Sequence, residues 1–326
     1  MAPRLPLELL ERIIDDVTKY GDSFIDNLSS IKSCALVCHS FLPLCRNHIF
    51  ANVTLNSPVV WGRTSSPTSD DFNHLLSNSP HLAVYIRKLD YFVSKNEFVP
   101  NRSQRLLSIF KKLVKLQKLS ISYYLASTIP GTRLDWMSPS VRKVLLPLLH
   151  LPTLTSIRLS AIRNFPLADL ARCVNLRKLR IQSLECSSPN GVGNFLEALL
   201  PATPVMLERL AIEEGNVKPV RQLCQARRPD GKPIIDFSSL KKFTATVARL
   251  DSMTELFANG MWRNLRKIKL SRTSLPTFLL PLHPFDDVTL ITYYSRPWTK
   301  PPFFFEFEGI IHHAKVFLAY FGGYRY

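Results

Sequence analysis

The residues best suited to chemistry gather near the start of the chain, at Cys34, Cys38, His39, Cys45 and His48. Thiolate and imidazole are zinc-ligand types, but structural zinc usually takes a closely spaced pair on a turn and a second, well-separated pair. Cys34 and Cys38 are instead one helical turn apart, in a run whose Leu36, Val37 and Phe41 also call for burial. Small buried thiols in a helical core fit that spacing better, so no metal site is expected. The His312-His313 pair has no third ligand or carboxylate at a suitable spacing and reads as a surface pair. Gly191-Val192-Gly193 lacks the third glycine and the later acid of a dinucleotide fingerprint. The chain has no Gly-Lys-Ser/Thr phosphate loop, no HExxH and no Gly-x-Ser-x-Gly. No catalytic residue and no cofactor site is expected, and nothing in the sequence argues for an enzyme.

Composition sets the frame for whatever else the chain does. Its 326 residues are 46% hydrophobic and 21% charged, with 11 glycines, a globular balance long enough to bury a substantial core. Pro3, Arg4, Glu8, Glu11 and Arg12 interrupt any N-terminal apolar run, so no signal peptide is expected. The apolar C-terminal stretch is broken by Glu306, Glu308, His312, His313 and Lys315, too often for a membrane span. A soluble intracellular protein, cytoplasmic or nuclear, with its six cysteines as thiols, is the expectation. Charge is uneven: residues 1–55 carry a net −1, and the remainder +18. A basic body suits nucleic acid or another acidic surface, or is simply a solvated exterior.

The first 55 residues must position any docking function. Leu9, Leu10, Ile13, Ile14 and Val17 recur at helical spacing after Leu5-Pro6, a proline at the helix start where its missing N–H costs little. A turn at Tyr20-Gly21-Asp22-Ser23 follows, and apolar spacing resumes through Ile25, Leu28, Ile31, Cys34, Leu36, Val37, Phe41 and Leu44. Two or three short amphipathic helices of this size bury too little alone and need something to dock on. Leu5-Pro6-x-Glu8-Leu9-Leu10-x-x-Ile13-Ile14, then Cys34-Ala35-Leu36-Val37-Cys38-x-x-Phe41, resembles an F-box. The closing Leu42-Pro43-Leu44-Cys45-Arg46-x-x-Ile49-Phe50 is similar to that of F-box proteins from mushroom-forming fungi. The resemblance implies docking on the adaptor subunit of an SCF (cullin–RING) ubiquitin ligase, and through it on cullin. The motif positions it implies as adaptor contacts are Leu5, Pro6, Leu9, Leu10, Ile13, Val37 and Phe41.

Beyond a loop at residues 56–70, Phe72, Leu75 and Leu76 suit a short helix ending before Pro80, and Leu89–Val93 suits a strand. A phrase Leu-x-x-(Leu/Ile/Phe)-x-apolar then recurs from Leu116, Leu154, Leu176, Leu207, Leu240 and Leu265, with a degenerate copy from Ile86. Each phrase supplies one strand with alternate side chains in and out, and the residues between supply cover. Helical cover is expected at 106–113, 141–149, 195–200 and 253–257. Stacked units would bury a continuous core. The intervals are uneven and the usual ladder Asn or Cys is missing, so the unit resembles an irregular leucine-rich repeat. The alternative is an ordinary α/β domain with chance leucine spacing. The expected fold class is α+β to α/β, with a three-helix module at 1–55 and a repeat domain at 56–275. Residues 276–326, rich in aromatics and proline, would be a cap or tail.

Basic residues recur within the phrase, among them Arg177, Lys178, Lys241, Lys242, Arg266 and Lys267. Arg158, Arg180 and Lys269 sit between two apolar positions and are expected to align on the outer face as a stripe that captures an acidic or phosphorylated protein. Solubility charge is the plainer alternative. A nucleic-acid binder ranks below the ligase-subunit reading, because no basic motif with interleaved aromatics occurs.

Overall fold

The computed structural model describes residues 6–19, 24–57, 66–94, 97–123, 132–187, 203–215, 218–228, 230–247, 267–272, 287–294 and 314–320. It opens with three helices, α1 (Leu7–Lys19), α2 (Phe24–Val37) and α3 (Phe41–Ile49), which pack on one another. Their shared core is Leu10, Ile14, Ile31, Leu44 and Cys45, with Val17, Cys34, Ala35, Phe41 and Ile49 packed around it. Two polar ties hold the helices in place. Asn27 Nδ2 donates to the Thr18 carbonyl at 2.9 Å, and His48 Nε2 meets Asp15 Oδ1 at 3.2 Å.

The chain then enters strand β1 (Asn52–Leu55), helix α4 (Ser69–Asn78), β2 (Lys88–Val93), α5 (Pro100–Phe110), β3 (Lys118–Tyr123) and β4 (Leu134–Asp135). Helix α6 (Pro139–Leu149), β5 (Ser156–Ser160), β6 (Ile162–Arg163), β7 (Lys178–Gln182), β8 (Val205–Met206), β9 (Arg209–Gly215) and α7 (Lys218–Gln225) follow. The last strands are β10 (Ile235–Asp236), β11 (Lys242–Val247), β12 (Lys267–Arg272), β13 (Asp287–Tyr294) and β14 (Ala314–Tyr320). Among the described residues, ten of these strands form one sheet in the order β1-β2-β3-β5-β7-β9-β11-β12-β13-β14. Every pair in it is parallel. A parallel sheet with helices between its strands makes this an α/β fold.

Local sequence explains why these elements form. Helix α4 starts on a reciprocal cap: Thr68 Oγ1 accepts from the Asp71 N–H at 3.2 Å, and the Thr68 N–H donates to Asp71 Oδ2 at 2.9 Å. The Thr68 N–H and hydroxyl, both donating to Asp71 Oδ2, hold that carboxyl's pKa below its usual value. Pro100 and Pro139 open α5 and α6, where a proline removes no intrahelical bond. Helix α5 therefore begins ahead of the 106–113 run expected from apolar spacing alone. Of the other expected helices, 195–200 and 253–257 lie outside the described residues.

The repeated phrase accounts for the core. Leu116, Leu154, Leu176, Leu207 and Leu240 are buried, as are the next two apolar positions of each phrase. Ile86, Leu89 and Tyr91 do the same one strand earlier. Six successive strands, β2, β3, β5, β7, β9 and β11, enter the sheet through the same backbone joint. Two successive N–H groups donate to the single carbonyl that precedes the neighbouring strand: Arg87 and Lys88 to Ala51, Gln117 and Lys118 to Arg87, and Thr155 and Ser156 to Gln117. Arg177 and Lys178 to Thr155, Glu208 and Arg209 to Arg177, and Lys241 and Lys242 to Glu208 continue the series. Interval length varies with the cover. The long interval after Leu116 carries α6, whereas the short one after Leu154 carries only a 3-10 helix, Leu167–Arg172.

The sheet crosses two expected boundaries. Asn52–Leu55 pairs with Lys88–Tyr91, so the sheet starts inside the segment assigned to the helical module. Phe50, Val53 and Leu55 pack on the sheet's core, forming a further copy of the phrase that was not read from the sequence. At the other end, β13 and β14 extend the same sheet through residues assigned to a cap or tail. Among the described residues no helix is long and apolar enough to cross a membrane.

Candidate protein-interaction surfaces

Two surfaces carry residues singled out from the sequence. On the helical module, Leu10 is buried in the core, and Phe41 is half-buried against it. Both positions pack into the module's own core. Pro6 is exposed, and Leu9 and Ile13, one turn apart on α1, remain 47% and 44% exposed. Val37 is 71% exposed and Leu36 88%. Leu36 and Val37, whose run calls for burial, are thus not buried within this chain. Leu36, which sits beside Val37 in the matched motif, is not among the positions the resemblance implies as contacts. Leu5 lies outside the described residues.

The second surface is the sheet face turned away from the buried rows. Strand register aligns Ser120, Arg158, Arg180, Ala211, Thr244 and Lys269, so the expected basic stripe does share one row of the backbone. Two of its cations are not free. Arg158 Nη2 donates to Gln182 Oε1 at 2.9 Å and to Glu213 Oε2 at 3.3 Å. Arg180 Nη2 pairs with Glu213 Oε1. One carboxylate thus bridges both arginines and offsets one of their two charges. The Lys269 side chain lies outside the described residues.

The free cations stand two residues earlier on each strand. Lys88, Lys118, Ser156, Lys178, Arg209, Lys242 and Lys267 form a continuous register row. Lys88 is tied to Asp90. Lys118, Lys178, Arg209 and Lys242 are exposed, and none has an ion-pair partner among the described residues. Sequence reading missed this row as a unit. Its signal is a Lys or Arg at the third position of nearly every phrase.

Elsewhere several reactive side chains are buried, whereas Cys38, expected as a buried thiol, is exposed. The Asp169 carboxylate, fully buried, accepts from Trp136 Nε1 at 2.8 Å and from Arg142 Nη2 at 2.6 Å and Nε at 3.3 Å. Trp136 lies against Phe165 with ring centroids 4.9 Å apart. His150 and Cys173 are close by, but the grouping is not that of a thiol protease. Cys173 Sγ donates to the Leu149 carbonyl at 3.2 Å, and burial pushes its pKa up to about 12. Cys224 is likewise pushed up to about 12, and Cys45 is raised by burial. All six cysteines are free thiols. Among the described residues no group of three or more His, Cys, Asp or Glu is placed to hold a metal ion.

His150 makes a testable pH-sensitive contact. Its Nε2 lies 3.0 Å from the Asp169 carbonyl, which can only accept, so the neutral ring donates there. Burial lowers the His150 pKa despite that carbonyl. A histidine with a lowered folded pKa contributes fully above its unfolded value of about 6.5, and the contribution fades as pH falls through that value. The wild-type urea midpoint is therefore expected to drop more between about pH 7.5 and 5.5 than that of His150→Gln. Parallel profiles would show that His150 is not the group responsible.

An open cleft of about 340 Å³ lies past the carboxyl ends of β2 and β3, lined by Ser94, Phe98, Val99, Tyr123, Arg133 and Asp135 among others. Its charged walls are already paired, Arg133 with Glu185 and Asp135 with Arg163. No family model matches the chain, and neither does any curated protein.

Proposed function

We propose that this chain is a non-catalytic substrate-recognition subunit of an SCF-type (cullin–RING) ubiquitin ligase. On this reading α1–α3 are an F-box, and the sheet with its helical cover is an irregular leucine-rich-repeat-like solenoid that presents a target protein. The observation that carries it is the division of apolar residues on the helical module. Leu10, Ile14, Ile31, Leu44 and Cys45 satisfy its own core, while Leu9, Ile13, Leu36 and Val37 stay in solvent. Large aliphatic side chains left out of a small core suit a partner's groove. They coincide with motif positions that resemble the F-box. The recurring backbone joint supports the repeat reading, because identical entry geometry from strand to strand is what stacked units produce. Such a protein acts by proximity: it raises the concentration of a target beside the ligase.

The test is capture of the ligase adaptor and cullin by the tagged full chain, set beside a Leu36→Asp/Val37→Asp variant. Both side chains are largely in water, so the substitutions leave the fold intact. The wild type is expected to capture the adaptor and the variant to lose it. A folded wild-type chain that captures no adaptor would overturn the reading.

A further inference from the structure

The geometry points to a second binding surface: the row of Lys118, Lys178, Arg209 and Lys242 binds an extended acidic peptide segment of the target, laid across the strands. This deepens the proposal above and rests on it for the target's being a protein. Lys178, Arg209 and Lys242 lie on consecutive strands of the main sheet, in direct register. Adjacent strands are about 4.8 Å apart, so the three cations span about 10 Å, with Lys118 two strands further on. Carboxylates on alternate residues of an extended peptide recur at about 6.7 Å, within reach of long flexible lysine and arginine stems.

The surroundings select among polyanions. Ser156 within the row, and Ser120 and Thr244 beside it, offer hydroxyls that can meet peptide carbonyls and carboxylates. Single-stranded nucleic acid wants aromatic platforms for its bases. The outward positions of β3, β5, β7 and β9 next to the row carry none. Glu213, one row beyond Arg180, is held between Arg158 and Arg180 and leaves that cluster with one net positive charge. Glu213 also sets the capacity of the face, because it occupies Arg158 and Arg180.

The experiment measures fluorescence anisotropy of a labelled peptide of about ten alternating glutamates and serines binding to the full chain at low salt, with labelled single-stranded DNA as a parallel probe. Lys178→Ala/Arg209→Ala/Lys242→Ala is expected to weaken peptide binding about tenfold, from three lost charge contacts. Lys111→Ala/Lys115→Ala/Lys143→Ala removes the same charge away from the row and should leave it within about twofold. Glu213→Gln should tighten binding by freeing two arginines. Equal weakening by the two triple variants, no binding to the wild type, or tighter binding of the DNA would each overturn the proposal. Since the adaptor takes no part, adaptor capture without peptide binding removes this inference alone, and peptide binding without adaptor capture removes the ligase assignment alone.

Discussion

Asp169→Ala is expected to lower folding stability by about 3–5 kcal/mol, read from urea unfolding, because it leaves buried donors with no acceptor. Asp169 has no exposed surface, and its carboxylate takes hydrogen bonds from Trp136 Nε1 and from Nε and Nη2 of Arg142. Removing the carboxylate strands the indole N–H and a guanidinium that is only a quarter exposed. The cluster joins α6 to the 3-10 helix that covers the neighbouring interval, so its loss loosens two successive layers. The diagnostic control is Asp169→Ala/Arg142→Met. Removing both partners takes away the stranded charge, so the double variant should be more stable than Asp169→Ala alone. A loss below about 1 kcal/mol in the single variant would show that the ion pair does not organise this part of the fold.

Leu9→Ala/Ile13→Ala is expected to abolish docking on the ligase adaptor while leaving stability nearly unchanged, and Ile14→Ala to do the reverse. The three residues share one helix within two turns, yet Ile14 is fully buried and the other two are nearly half exposed. Truncating a buried isoleucine costs about 2–5 kcal/mol from lost transfer energy and the cavity left behind. Truncating two side chains that become buried only in a complex removes about 1.5–3 kcal/mol each from binding, a loss of at least about a hundredfold together. Thermal unfolding and adaptor affinity measured on both variants separate the two roles. If Leu9→Ala/Ile13→Ala melts the module as badly as Ile14→Ala, the exposed pair is structural and the docking argument loses its basis.

The core was more legible than the surface. Leu119, Ile157 and Leu179, with the leucines three residues before them, were readable because a strand buries alternate residues, and hydrophobic type alone reports that. The extra strands were hidden for different reasons. Val53 and Leu55 sit against the end of a helical pattern whose period masks a four-residue strand. β13 and β14 lie among prolines and aromatics that resemble a terminal cap. The basic face was misread because sequence shows where a charge stands but not what stands opposite it. Arg158 and Arg180 are aligned as expected, but Glu213 comes from a different strand and reaches both. Likewise, apolar spacing on α1 could not divide Leu9 from Leu10. Which of two adjacent leucines faces α2 and α3 is set by how three helices pack.

The central claim is most directly tested by calorimetric titration of the purified full chain with the purified SCF adaptor subunit. A saturable one-to-one complex, abolished in Leu9→Ala/Ile13→Ala and retained in the triple variant of Lys178, Arg209 and Lys242, is the predicted result. A folded wild-type chain that gives no heat and does not co-elute with the adaptor at micromolar concentrations would contradict it.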